Sequence, residues 1–147
     1  MNKGIIHITL VVLMGLNTLF AQDWQQDISK AKEIATNENK PIILVFQGSD
    51  WCAPCIKLDR EVWSTDFFKN YANEHFVMLQ ADFPRRKSNA LPEAQAKANA
   101  QLAGMYNKNG IFPFVVVLDK NGKVLGETSY KKMSAQAYVE ELNRFIK

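Results

Sequence analysis

Pro41-Ile42-Ile43-Leu44-Val45-Phe46-Gln47-Gly48-Ser49-Asp50-Trp51-Cys52-Ala53-Pro54-Cys55 is the run that decides how this chain folds. Ile42 to Phe46 is a short, continuous apolar run behind a proline, the pattern of a strand buried on both faces. Gln47 to Asp50 is a brief polar loop. Cys52 and Cys55 are the only two cysteines of the chain, and the spacing lets their sulfurs close a small ring where a helix begins. There the first thiol is expected to sit exposed near the positive end of the helix dipole, which lowers its pKa and makes it a nucleophile. Strand, loop, cysteine pair and helix in that order are a redox layout; the cysteine spacing alone would be a weaker signal.

Other uses of two cysteines fit less well. A disulfide across two residues closes a tiny loop and gains little chain entropy, so it is a poor structural staple. A zinc site wants four ligands, and beyond the cysteines His75 is the single histidine after residue 21. A haem attachment site requires histidine directly after the second cysteine, where Ile56 stands. No metal and no cofactor is therefore expected.

The N-terminus resembles an export signal. Lys3 supplies a positive start, Ile5 to Leu16 an apolar stretch, and Leu19-Phe20-Ala21 a small residue for cleavage before Gln22. Polar interruptions leave the stretch short of the roughly 20 apolar residues of a membrane span. The expected organisation is a signal peptide over residues 1–21 and one domain over 22–147, exported to the periplasm or secreted, with no stable membrane insertion after cleavage. A formal net charge of +3 is too small to argue for nucleic acid. Arg85-Arg86-Lys87 reads as a solvated loop after Pro84.

Trp24, Ile28, Ala31 and Ala35 recur at helical spacing and predict a helix over about 24–37. After the strand at 42–46, the helix opening near Cys52 has Ile56 and Val62 as expected core positions. Ser64-Thr65-Asp66 marks a break and a new N-cap. A strand follows over 76–81, then an alanine-rich helix over about 92–106 with Pro92 at its start. Phe114-Val115-Val116-Val117-Leu118 is dense in β-branched residues and predicts a strand. It turns through Asp119-Lys120-Asn121-Gly122 into a second strand at 123–126, an antiparallel hairpin. Residues 134–146 form a last helix, presenting Ala137, Tyr138, Leu142, Phe145 and Ile146 to the sheet. The order is α, β, α, α, β, α, β, β, α: an α/β sandwich with a central mixed sheet of about four strands and helices on both faces.

Trp51-Cys52-Ala53-Pro54-Cys55 at a strand-to-helix junction, Phe112-Pro113 before a late apolar strand, and this element order together resemble the thioredoxin fold. Gly48 to Trp51, Ile56 to Val62 and Asp82-Phe83-Pro84-Arg85 are similar, more specifically, to the exported thioredoxin-like proteins of bacteria. The resemblance implies a cis Pro113 facing the cysteines, and a Phe112 backbone able to pair with an extended substrate segment, with Trp51 at the same surface. It implies Cys52 as the attacking thiolate and Cys55 as the buried thiol that resolves the mixed disulfide. One departure matters. Family members commonly carry a buried acid in the strand before the motif, whereas Ile42 to Phe46 is wholly apolar. That leaves Lys57, Asp82 or water as proton acceptors for Cys55.

The expected activity is thiol–disulfide exchange on disulfide-containing or unfolded exported proteins, reducing or isomerising them. Ala53-Pro54 adds no charge and no imidazole between the cysteines, which favours a modestly depressed Cys52 pKa and a reducing couple renewed by a membrane electron donor. A thioredoxin-fold chaperone or assembly module, its cysteines secondary, is the alternative, with Trp51, Phe112 and Phe114 as an apolar client surface. A peroxidase fits poorly, since no Arg or Thr stands close to the pair in sequence to bind peroxide.

Overall fold

A computed structural model describes residues 22–147, so the expected signal peptide at 1–21 lies outside the described residues. Five strands form one mixed sheet: β1 (Trp24–Gln25), β2 (Ile42–Gln47), β3 (Val77–Asp82), β4 (Phe114–Leu118) and β5 (Val124–Thr128), in the order β1-β3-β2-β4-β5. β3 runs parallel to β1 and β2, while β4 is antiparallel to both β2 and β5. The fold class is the α/β sandwich expected, with one strand more than about four.

The extra strand corrects the start of the first helix. Trp24 is extended and pairs with Met78, covering the free edge of β3. Helix α1 begins later, at Ile28–Glu38, because the Asp27 carboxylate caps it by accepting from the amides of Ser29 and Lys30. Trp24 matched helical spacing by coincidence of its apolar character. Its ring meets Trp63 edge-on at 6.2 Å rather than joining the α1 stripe.

Period-two alternation along β2 divides the core. Ile43 and Val45 face α2 (Ala53–Leu58), α3 (Asp66–His75) and α5 (Ala135–Ile146) together with Val115 and Val117. Ile42, Leu44 and Phe46 face α1 and α4 (Glu93–Tyr106) with Leu79, Val116 and Leu118. All five residues from Ile42 to Phe46 are fully buried, which is why the strand is apolar throughout. The hairpin closes as expected: Asp119 accepts from the amides of Asn121 and Lys123, and Gly122 takes φ 88°, a conformation costly for other residues.

Helix α2 passes directly into a π-helical turn, Asp59–Trp63, closed by the Ser64 amide donating five residues back to Asp59. Adjacent Val62 and Trp63 in this turn are both buried in the core. Trp63 becomes the centre of the first core layer, edge-on to Phe68 at 4.7 Å and Tyr138 at 5.3 Å. Ile56, expected inside, is instead 49% exposed, whereas Cys55, Leu58 and Val62 point inward. One position past an inward Cys55 turns a helical side chain by about 100°, toward solvent.

Trp63→Ala should destabilise the fold by about 3–5 kcal/mol, as removal of a large buried aromatic does. Phe67→Ala, at a half-solvated neighbour, should change stability by under about 1 kcal/mol. Urea unfolding of both variants checks the difference.

Candidate active site

β2 ends at Gln47, and the chain then turns through Gly48 to bring Cys52 to the start of α2. Cys52 is itself the helix cap: its Sγ accepts from the Cys55 backbone N–H at 3.3 Å. Pro54 stands in the first turn, where a missing N–H costs nothing. Cys52 and Cys55 are joined as a disulfide. Each is only 3% exposed, so Cys52 is not the open thiol expected of it. The cross-link draws its sulfur back over the first turn, and Ala53 and Pro54 take the solvent-facing positions.

Trp51 is half-buried and lies over Gly48, where any Cβ would overlap the indole; this close approach requires glycine. The Trp51 Nε1–H donates to the Phe83 carbonyl at 2.7 Å. Its ring meets Phe112 edge-on at 5.6 Å, and Phe112 meets Phe83 in the same way at 5.4 Å. Trp51, Phe83 and Phe112 thus form one aromatic surface contributed by three separate loops. Pro113 is buried, its peptide bond with Phe112 is cis, and its carbonyl accepts from Ser129 Oγ at 2.6 Å. The β2–β4 pairing of Phe46 with Phe114 brings Phe112-Pro113 alongside the loop that carries the cysteines. Trp51, Cys52, Cys55, Phe112 and Pro113 therefore gather at one end of the sheet.

The carboxylates nearby serve the loops. Asp50 accepts from the amides of Arg85 at 2.9 Å and Arg86 at 3.0 Å, and from Asn89 Nδ2 at 3.0 Å. The Arg85 amide first, then Asn89, hold its carboxyl below the ordinary aspartate range, outweighing partial desolvation. Asp82 accepts from the Ser49 amide at 2.9 Å and Ser49 Oγ at 2.6 Å. Of the expected proton acceptors for Cys55, Asp82 is thus engaged by Ser49, and Lys57 is exposed.

Sequence reasoning passed over three residues here. Arg85, read as part of a solvated run, lays its guanidinium 3.6 Å from the centroid of the Trp51 ring. Phe83 supplies both an aromatic wall and the carbonyl that holds Trp51. Asn99, buried in α4, donates to the Asp82 carbonyl at 2.8 Å and so ties the second loop to the helix behind it. An Asn in an alanine-rich helix was a usable signal, and Asp82-Phe83-Pro84-Arg85 carried the family resemblance; the contacts that give Arg85 and Phe83 their places join distant segments and are not readable from that motif.

Comparisons with known proteins agree with this geometry. A family model described as thioredoxin-like matches residues 23–120. The chain is 34% identical over 122 residues to the disulfide bond reductase DsbH of Chlamydia pneumoniae, covering 83% of this chain and 72% of that protein. Among solved structures, a DsbH oxidoreductase superposes with a TM-score of 0.79 at 29% identity, covering 99% of this chain and 94% of the other. A disulphide isomerase from Xylella fastidiosa Temecula1 superposes with a TM-score of 0.60 at 23% identity over 82% of this chain and 88% of its own, a likeness of fold.

Because the folded-state pKa of Asp50 is depressed, its clamp on the Arg85–Asn89 turn is fully present above the ordinary aspartate pKa. It is lost only as pH falls through the lower folded value. Protection of the Arg85 and Arg86 amides against exchange, relative to an unstructured peptide at the same pH, should hold through mildly acidic pH and fall below the usual aspartate range. Asp50→Ala should show the loss of protection already at neutral pH.

Proposed function

This chain belongs to the thioredoxin-like family and is a thiol–disulfide oxidoreductase, and from that premise we propose that it is exported and reduces disulfides in other exported proteins. The observation that carries the reading is the Cys52–Cys55 pair capping α2, with the Cys55 amide aimed at Cys52 Sγ and an aromatic surface beside it. When the pair is reduced, that amide stabilises negative charge on Cys52 and favours its thiolate.

The proposed cycle begins with the dithiol. The Cys52 thiolate attacks one sulfur of the substrate disulfide, forming a mixed disulfide and expelling the other substrate sulfur as a thiolate, which takes a proton from solvent. Cys55 then loses its proton and attacks Cys52 Sγ. The mixed disulfide breaks, the second substrate sulfur leaves as a thiolate and is protonated, and the pair ends as the disulfide described above. With Asp82 held by Ser49 and Lys57 turned to solvent, water is the base we assign to Cys55. Trp51, Phe112 and Pro113 form the binding surface, Phe112 pairing through its backbone with the extended substrate segment.

Two neutral residues between the cysteines support the reducing direction, as does the similarity to a protein named a disulfide bond reductase. Each cycle consumes two electrons, so a membrane electron donor that returns them to Cys52–Cys55 completes the proposal. The resemblance of residues 1–21 to an export signal supports a periplasmic or secreted location as part of this proposal. Sequencing of the exported protein should place its N-terminus at Gln22.

With dithiothreitol as reductant, the wild type should accelerate insulin reduction, and Cys52→Ser should abolish the acceleration. Cys55→Ser should instead accumulate a mixed disulfide through Cys52, visible as an added substrate mass that thiol treatment removes. Equal insulin rates for wild type and Cys52→Ser would reject the assignment. Client protection that persists with both cysteines replaced by serine would favour the chaperone role.

A further inference from the structure

Near the dithiol, charge is distributed unevenly between the inside and outside of the loops. Asp50 and Asp82 spend their carboxylate oxygens on Arg85, Arg86, Asn89, Ser49 and Phe83, all as hydrogen bonds from amides, a hydroxyl and a side-chain amide. The side chains of Arg85, Arg86 and Lys87 remain outside and exposed. None of the ion pairs among the described residues includes any of the three. Across the site, Lys57, Asp59, Arg60 and Glu61 carry two charges of each sign, and Arg60 pairs with Glu61 at 3.2 Å. Asp50 and Asp82 keep their charge while accepting from these neutral donors, so the two loops carry three cations against two anions, and the cationic side chains are the exposed ones, on the Arg85–Lys87 edge.

Arg85 is also held in place, unlike an ordinary surface arginine. Its backbone amide is bonded by Asp50, and its guanidinium carbon lies 3.6 Å from the centroid of the ring of Trp51, the residue that precedes Cys52. A planar cation stacked on an aromatic face keeps its edge N–H groups free for a carboxylate, and little side-chain freedom remains to be lost on binding. Trp51 is itself anchored by its Nε1–H bond to the Phe83 carbonyl and packs directly over Gly48.

Building on the reductase reading, we propose that Arg85 is a specificity-determining residue that, with Arg86 and Lys87, selects disulfide-bearing segments carrying Asp or Glu beside the cystine. The aromatic surface takes the apolar part of the segment and the Arg85 fork takes its carboxylate, with the scissile disulfide delivered to Cys52. The chemical step is unchanged: two electrons pass from the dithiol to the substrate disulfide, and dithiothreitol restores them in the assay.

The test uses the mature chain, dithiothreitol, and two peptides identical except that Asp or Lys flanks the disulfide on both sides. At low salt the wild type should reduce the Asp peptide with a kcat/KM roughly three- to tenfold higher, the size expected of two or three exposed charge pairs. The difference should lie mainly in KM and shrink as salt is added. Arg85→Glu should erase or reverse the preference, and Arg85→Lys should keep part of it. The double variant Arg86→Glu, Lys87→Glu should weaken it without touching the Trp51 stack. Equal kcat/KM for the two wild-type peptides at low salt would overturn the proposal while leaving the reductase reading standing, as would a preference that survives Arg85→Glu. Failure to reduce either peptide would overturn both.

Discussion

The burial of β2 on both faces is the constraint from which the rest follows. Ile42 to Phe46 are fully buried, sandwiched between two core layers and flanked by β3 and β4. Such a strand must be apolar, and its chain must leave the sheet at an end where polar groups meet water. That exit is where Gly48 to Cys55 sit. No acid stands in this strand: Phe46 occupies the last fully buried position and stacks on Phe114 at 6.4 Å, within the layer under α1 and α4. A carboxylate there would be buried among apolar side chains with its charge unpaired.

Acids near the site act on loops instead. Asp50 and Asp82 join the loop after β2 to the loop after β3, each carboxylate satisfying donors from the opposite segment. These are hydrogen bonds from backbone amides to charged acceptors, stronger than neutral ones and directional. Their consequence is geometric. With the two loops tied together, Trp51 bonds to the Phe83 carbonyl through its indole N–H and carries the Arg85 guanidinium over its ring, next to Cys52. Phe112 completes the surface from a third loop, whose Pro113 carbonyl is tied to Ser129. The two carboxylates are partly buried against loop amides, while the side chains of Arg85, Arg86 and Lys87 stay exposed.

Elements with strong periodicity were legible in the chain itself. β2, β4, the hairpin at Asp119 to Gly122, α4 and α5 lie within a residue or two of their expected bounds, since composition and turn chemistry agree there. Where the reading failed, a long-range contact overrode a local pattern. Trp24 has helical spacing to Ile28, but the open edge of β3 draws it into a strand. Ile56 is apolar and helical, but Cys55 already occupies the inward direction. The π-helical turn rotates Trp63 into the core, and helical periodicity taken at 3.6 residues per turn does not anticipate it.

By itself, the order of residues determined the chemistry: two cysteines at the spacing of a redox pair, an apolar strand feeding them, and a proline ahead of a second buried strand. These are local properties, set by side-chain type and by neighbours within one turn or one strand. Only the tertiary structure decided the surroundings of that chemistry. Which aromatic rings gather beside the disulfide, which acids accept from the amides of another loop, and which cation faces outward all depend on contacts between segments far apart in the sequence. Pattern along a chain carries no distance between such segments; packing of the sheet supplies it.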